Sequence, residues 1–200
     1  MRTYRAVNLN VLWFLIALNV LIFIIELVVG GYPITVNNEV IRFLGLARVL
    51  LSQQPWTIIS SIFIHGGFAH IIFNMISLYF LGSFFLRAAG ERSFLAVFFL
   101  GGLAGNLLFI LYGHLADITL GGFGASGAVF ALGGALAVMV PRVPVFIFFI
   151  PIAMPLWVAI IIFFFLSFIP GIAWQAHLGG LLLGLVAGLI LKRRRRIYYF

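Results

Sequence analysis

The stretch Gly121-Gly122-Phe123-Gly124-Ala125-Ser126-Gly127 carries a single hydroxyl into the start of an apolar helix. Hydrocarbon cannot form a hydrogen bond with a serine, so a polar side chain in such surroundings needs a partner or a function. His177, in the last hydrophobic segment, is the partner that we predict for Ser126. The fold must therefore bring together two segments that lie far apart in the chain.

The composition is that of a membrane protein. Of the 200 residues, 64% are hydrophobic and only 8% are charged, and the mean hydropathy is +1.26. Four acidic residues cannot solvate the surface of a globular protein of this size. The absence of cysteine excludes disulfide bonds and thiolate chemistry.

Six segments are apolar and long enough to cross a bilayer, for which a helix needs about 20 residues. They are residues 10–29, 68–86, 94–112, 125–140, 145–168 and 173–191. The first lacks a small-residue cleavage site and is too long for the core of a signal peptide, so we expect it to be retained. The sequence therefore predicts an all-α membrane protein, a polytopic bundle of six transmembrane helices forming one domain over residues 1–200.

The positive charges predict how the chain is oriented. If it crosses six times, ten basic residues share one face: Arg2, Arg5, Arg87, Arg92, Arg142, Lys192 and Arg193 to Arg196. Arg42 and Arg48 fall on the other. Because loops rich in lysine and arginine face the cytoplasm, we expect both termini, including the basic tail at 192–200, to be cytoplasmic in a prokaryotic cell membrane. Charges that flank spans indicate topology and no nucleic-acid partner.

The outer segment at about 30–67 is too polar to cross the membrane. Apolar residues between positions 43 and 51 predict a short element lying in the interface, with Trp56 anchored at the headgroups. Glu26, late in the first span, is expected to snorkel toward the outer surface.

The polar residues of the spans share one depth. With this topology, spans two, four and six begin at the outer face, and His70, Asn74, Ser126 and His177 all lie near those beginnings. At 1.5 Å per residue, they lie roughly 5–10 Å below the outer surface. This common level predicts that they form a single cluster.

Helical spacing indicates which faces meet. His70 and Asn74 are four residues apart and share a face. Small residues let helix backbones approach closely in lipid, and two stripes are candidates. They are Gly133, Gly134 and Ala137 below Phe130 in span four, and Gly180, Gly184 and Gly188 after His177 in span six.

Taken singly, each feature is typical of ordinary membrane structure: helix packing for the glycines and the histidine, and a helix cap for Ser126. Together they supply a nucleophile, a base and an anion site.

Other chemistries are excluded by context. The stretch from Gly122 to Gly127 matches a dinucleotide-binding G-x-G-x-x-G, but no strand unit precedes it and no acidic residue follows Asp117. A nucleophile elbow would need glycine at Ala128. No H-E-x-x-H motif and no pair of intramembrane aspartates occurs, which argues against metal-dependent and aspartyl proteolysis. We therefore predict serine chemistry with no metal and no cofactor.

At this point the chain resembles the rhomboid family of intramembrane serine proteases. The resemblance rests on Gly124-Ala125-Ser126-Gly127, on His65, His70 and Asn74 at their spacing, and on Ala176-His177 followed by Gly180 and Gly184. It covers the six-span core from about residue 56 to residue 191.

The resemblance implies a Ser-His dyad, with Ser126 as nucleophile and His177 as general base. The oxyanion would be held by the Ser126 backbone N–H and by the side chains of His70 and Asn74. Supporting roles would fall to a further set of residues: His65, Gly124, Phe130, Gly180 and Gly184. Phe130 would stack on the base, and span five, with Trp157, would line the side from which substrate arrives. The site would open to the outer face, beneath the loop at 113–124.

The expected substrates are transmembrane segments of other membrane proteins, and the bilayer is the other expected partner. An intact helix hides its carbonyl groups, so glycine or proline near the cut should favour cleavage. Two alternatives are an inactive relative that binds membrane clients and a small transporter or channel. No charged relay continues inward from the polar cluster, which argues against the transporter.

Overall fold

A computed structural model describes residues 7–35, 37–117, 121–147 and 150–194 of the chain. Four of the basic residues from which the orientation was predicted lie outside the described residues: Arg2, Arg5, Arg195 and Arg196. The described helices are α1 (Asn10–Gly30), α2 (Glu39–Leu44), α3 (Thr57–Ser60), α4 (Phe68–Ala89), α5 (Glu91–Leu115), α6 (Ser126–Met139), α7 (Leu156–Leu166) and α8 (Trp174–Arg194). Helices α1, α4, α5 and α8 are long and apolar enough to cross a membrane, whereas α6 and α7 are shorter apolar helices. The prediction of an all-α polytopic membrane protein is confirmed.

Helix α6 is the centre of the bundle. Its Ala128, Ala131, Leu132, Ala135 and Leu136 are fully buried, and α4, α5, α7 and α8 pack around it. Its 14 residues span only about 21 Å, less than the ~30 Å thickness of a hydrocarbon core. A helix this short can lie at membrane depth because protein, and not lipid, surrounds its ends.

The fifth predicted span is wrong in its first half. Residues 145–168 were expected to form one helix, but strands β3 (Pro144–Ile147) and β4 (Ile150–Pro155) form an antiparallel hairpin, and α7 has only 11 residues. Prolines at both ends of the hairpin and within β4 lack the N–H that a helix interior requires. An apolar run alone does not distinguish a strand from a helix, and here the prolines decide.

The outer segment is built from short elements that lead to the site. Helix α2 is capped by Asn38, whose side chain accepts the backbone N–H groups of Val40 and Ile41. Strand β1 (Leu46–Ala47) pairs with β2 (Gly121–Gly122), immediately before the Ser126 loop. Trp56, the predicted anchor, donates from Nε1 to the carbonyl of Phe43 at 2.8 Å. The outer segment thus holds the loop from which α6 begins.

Glu26 does not snorkel. Its side chain is 0% exposed, and its two carboxylate oxygens lie 3.1 and 3.3 Å from the backbone N–H of His65, which donates to them. Its own carbonyl accepts from Asn38 Nδ2 at 2.8 Å. The expectation failed because a buried backbone N–H outside the helices needs an acceptor, and Glu26 supplies it.

Candidate active site

Ser126 is the first residue of α6, and the loop before it is held in place by the backbone. Gly124 donates its N–H to the carbonyl of Ser61 at 2.8 Å and adopts φ +126°, a conformation that favours glycine. Ala125 is the N-cap, and no side chain caps the helix. The Ser126 hydroxyl is therefore not a helix cap, and its position at the start of α6 puts it at the positive end of the helix dipole.

His177 lies in the first turn of α8 and is 8% exposed. Its Nε2 is 2.7 Å from Ser126 Oγ, within hydrogen-bond distance. The Phe130 ring stacks on the imidazole, with centroids 4.5 Å apart and planes 26° from parallel. The structure thus brings Ser126, His177 and Phe130 together from two helices.

Glycines allow α6 and α8 to approach so closely. A Cβ on Gly180 would collide with the Gly127 carbonyl oxygen, and one on Gly184 with the carbonyl oxygen of Ala131. The α8 stripe is therefore where it was expected. On α6, Gly127 and Ala131 face these glycines, and Gly134 of the expected stripe also faces α8, since a Cβ on it would lie 2.8 Å from the Leu181 carbonyl oxygen. Gly133 of that stripe instead contacts Ile160 of α7.

Sequence reasoning missed Ser167, the residue that follows α7. Its Oγ lies 2.6 Å from His177 Nδ1, on the side of the ring opposite Ser126. From the sequence we expected the Phe130 ring to stack on the imidazole, and we predicted no partner for Nδ1. The sequence did hold a signal, because Ser167 is an isolated hydroxyl in an apolar segment, the same feature that singled out Ser126.

His70 and Asn74 lie on α4, beside the loop before Ser126. His70 Nδ1 accepts the N–H of Gly66 at 3.3 Å, which leaves the ring proton on Nε2. A Cβ on Gly124 would lie 2.6 Å from that Nε2 and 3.8 Å from Ser126 Oγ, so this donor borders the site. Asn74 Nδ2 donates to the His70 carbonyl at 2.9 Å, and within the described part of the chain its side chain makes no other hydrogen bond.

His65 lies in the loop before α4 and is fully buried. Its Nδ1 lies 3.3 Å from the Phe63 carbonyl, and its ring contacts the His70 ring edge-on, with centroids 5.0 Å apart. Burial, followed by the neighbouring His70, lowers the pKa of His65 to about 3 despite the hydrogen bond to Phe63. His65 is thus a neutral link between Glu26, which accepts its backbone N–H, and His70, which its ring contacts.

Two other features were expected around the site, Trp157 and the loop at 113–124. Trp157 is in the first turn of α7, about 15 Å along the helix from Ser167, with its backbone N–H bonded to the carbonyl of Pro141 at 3.3 Å. The loop at 113–124 is described only in part, since residues 118–120 lie outside the described residues. Among the described residues, no three side chains of metal-ligating type form a group that could hold an ion.

Comparison with known proteins shows what this chain is similar to. The sequence model of the Rhomboid domain matches residues 52–194. The chain is 33% identical over 162 residues to RHOMBOID-like protein 5 of Arabidopsis thaliana, covering 80% of this chain and 52% of that protein. It is 28% identical over 164 residues to mitochondrial Rhomboid protein 1 of Saccharomyces cerevisiae, covering 72% and 45%. It is 30% identical over 123 residues to Rhomboid protease GluP of Bacillus subtilis, covering 60% and 23%.

The chain spans about half the length, or less, of these curated relatives. The matched region begins in the outer segment, includes α3 to α7 and ends with α8. It contains all the residues of the site described above, whereas Glu26, which accepts the His65 N–H, lies before it. With a match over more than half of its length, and with its apolar helices, the chain is an integral membrane protein that belongs to the rhomboid family.

Proposed function

We propose that this protein is a serine endopeptidase that cleaves transmembrane segments of other membrane proteins. The observation that carries the proposal is the 2.7 Å distance between Ser126 Oγ and His177 Nε2. A hydroxyl becomes a useful nucleophile when a base within hydrogen-bond reach takes its proton. His177 is in that position, and the stacked Phe130 ring restricts how the imidazole can turn.

The proposed reaction has two halves. Ser126 Oγ attacks the carbonyl carbon of the scissile peptide bond while His177 Nε2 takes the hydroxyl proton, and the carbonyl oxygen becomes an oxyanion. The tetrahedral intermediate collapses when His177 returns the proton to the leaving nitrogen, and an acyl-enzyme remains. Water, deprotonated by His177, then attacks the ester carbonyl and releases the carboxylate product and the Ser126 hydroxyl.

The oxyanion would form at the start of α6. The Ser126 backbone N–H, in the first turn of the helix, has no intrahelical acceptor, and the helix dipole favours negative charge there. His70 Nε2–H borders the same space, and Asn74 lies one turn further along α4. These donors support the assignment of His70, Asn74 and the Ser126 backbone as the oxyanion site.

The substrate proposal follows from the surroundings of the pair. Both side chains belong to apolar helices that pack within a membrane protein, so a substrate must arrive as a membrane segment whose local helix has opened. Hydrolysis also needs water at that depth, which favours a site opening to one membrane face. From the distribution of arginine and lysine we propose that this is the outer face, that both termini are cytoplasmic, and that the membrane is a prokaryotic cell membrane.

The main alternative is an inactive rhomboid-like protein that binds membrane clients. The test uses purified protein in liposomes with a reporter transmembrane segment. We expect cleavage by the wild type and none by Ser126→Ala or His177→Ala. A fluorophosphonate should label the wild type but not Ser126→Ala. A folded wild type that neither cleaves the reporter nor reacts with the fluorophosphonate would favour the alternative.

A further inference from the structure

Ser167 forms the second hydrogen bond of the His177 ring. Its side chain is 2% exposed, and its Oγ has two neighbours, His177 Nδ1 at 2.6 Å and the Phe163 carbonyl at 3.2 Å. Both distances allow hydrogen bonds. The chain of contacts runs from Ser126 Oγ through the imidazole to Ser167 Oγ and ends on a backbone carbonyl of α7.

The number of available protons determines which atom donates in each of these hydrogen bonds. A carbonyl oxygen only accepts, so the single Ser167 hydroxyl proton must be donated to Phe163. The bond to His177 is then possible only if Nδ1–H donates to the Ser167 oxygen. In the neutral imidazole this leaves Nε2 with a free lone pair, directed at the Ser126 hydroxyl. That is the tautomer that a general base needs.

The same turn of α7 supports the ring from a second side. Phe164, three residues before Ser167 and on the same helix face, packs edge-on against Phe130, with centroids 6.3 Å apart. Phe130 in turn stacks on His177. The end of α7 therefore restrains the imidazole in its plane through Ser167 and across its face through Phe130.

We propose that Ser167 is the positioning residue that holds neutral His177 in its Nδ1–H tautomer and keeps Nε2 ready to accept the Ser126 proton. This role rests on the proposed function, in which His177 is the general base. Ser167 thereby adds a third, uncharged side chain to the pair formed by Ser126 and His177. When His177 becomes an imidazolium, Ser167 Oγ still accepts from Nδ1–H, so the support persists through the proton transfer. The tautomer also depends on α7, because movement of its end would remove the acceptor.

The first test reads the tautomer directly. We would record ¹⁵N NMR spectra of histidine-labelled protein in lipid at neutral pH, assigning His177 by the signal missing from His177→Ala. The wild type should show a protonated Nδ1 and an unprotonated Nε2. In Ser167→Ala a second population, protonated at Nε2, should appear. Ser83→Ala is the matched control, because Ser83 makes a similar bond to its own helix, Oγ to the Phe80 carbonyl at 3.1 Å, without touching a histidine.

The second test uses cleavage of the reporter segment. Ser167→Ala should lower kcat about tenfold, the cost of one net hydrogen bond, with little change in KM because the hydroxyl does not face substrate. Ser167→Thr, which keeps the hydroxyl, should restore much of kcat, and Ser83→Ala should behave like the wild type. A wild-type His177 protonated at Nε2, or a Ser167→Ala spectrum identical to that of the wild type, would overturn the proposal. A protein that cleaves nothing refutes the proposed function alone, since the spectra do not depend on turnover.

Discussion

The two side chains proposed to donate to the oxyanion differ in how many of their N–H groups are free to do so. His70 has its Nδ1 occupied by the Gly66 N–H, so its Nε2–H is fixed as a donor toward the Gly124 loop. Asn74 donates to its own helix, at the His70 carbonyl. One amide proton of Asn74 is therefore engaged in the absence of substrate, and only the other remains for an oxyanion.

Substitution of these donors should consequently have graded effects. Loss of one oxyanion donor typically costs on the order of 10²–10³ in kcat, and we expect His70→Ala to fall in that range and Asn74→Ala at or below its lower end. Ser126→Ala should abolish turnover. The measurement is kcat on the reporter segment. If Asn74→Ala were as inactive as Ser126→Ala while remaining folded, Asn74 would have a larger role than this geometry gives it.

Glu26 permits a stability prediction that involves no substrate. Glu26→Ala leaves the buried His65 N–H without its acceptor, which should cost about 1–3 kcal/mol of unfolding free energy. Glu26→Gln keeps a carbonyl oxygen in place and should cost less. Unfolding in mixed micelles measures both. Exposed Glu39 is the control, and Glu39→Gln should stay within about 0.5 kcal/mol of the wild type. Equal losses for Glu26→Ala and Glu39→Gln would contradict this role.

Single site residues could be predicted from the sequence where their depth in a membrane span was enough to identify them. Ser126 and His177 stand out because hydroxyl and imidazole groups are rare in apolar helices, and the structure brings them within 2.7 Å, although their chemical roles remain predictions. Ser167 was missed because its segment was predicted to be one unbroken span, and the depth of its polar residues in the membrane was not compared with that of Ser126. The burial of Glu26 depends on a loop folding back over α1, which helical periodicity does not report.

At the scale of elements, the interface of α6 and α8 depends on backbone contacting backbone. A methyl group on Gly180 would meet the carbonyl oxygen of Gly127, which cannot move without displacing α6. A methyl group on Gly133 would lie 2.7 Å from Ile160 Cδ1, the flexible end of a side chain. The two positions are both helical glycines, but their neighbours differ in how easily they yield.

Alanine at these two positions should therefore separate packing from helix propensity. Gly180→Ala should cost about 1–3 kcal/mol through overpacking and should reduce fluorophosphonate labelling, because α8 carries His177. Gly133→Ala should be near neutral, since alanine gains up to about 1 kcal/mol of helix propensity against a small shift of Ile160. Thermal unfolding and labelling rate measure the effects. Similar behaviour of both variants would show that the helices adjust more freely than the contacts indicate.

The helices and strands also show which features hydropathy predicts and which it does not. Long spans such as α4 and α5 are predicted well because their length and composition agree. The segment before α7 is as apolar as a span, yet Pro144 and Pro155 face each other across a hairpin. Proline spacing could have ended the predicted helix there, but nothing in an apolar run predicts which strands pair. The stripe expected on α6 was predicted only in part: Gly134 faces α8 but Gly133 faces α7, because small residues occur on several sides of α6.

At the scale of the whole molecule, the orientation in the membrane determines which compartment supplies water to the site. The chain contains no cysteine, so single-cysteine variants can report the topology without a background signal. Asp117 has a fully exposed side chain next to the loop that leads to Ser126. Glu91 is exposed at the opposite ends of the helices, where α4 connects to α5.

A membrane-impermeant maleimide applied to intact bacterial cells should therefore label Asp117→Cys but not Glu91→Cys. Glu91→Cys should react only after the membrane is permeabilised, because the proposed orientation puts this loop and the basic residues near it in the cytoplasm. Reporter cleavage by both variants would verify that the labelled molecules are folded. The reverse pattern would place the start of α6 on the cytoplasmic side, so that the proposed hydrolysis would draw water from that compartment, while the contact between Ser126 and His177 would be unaffected.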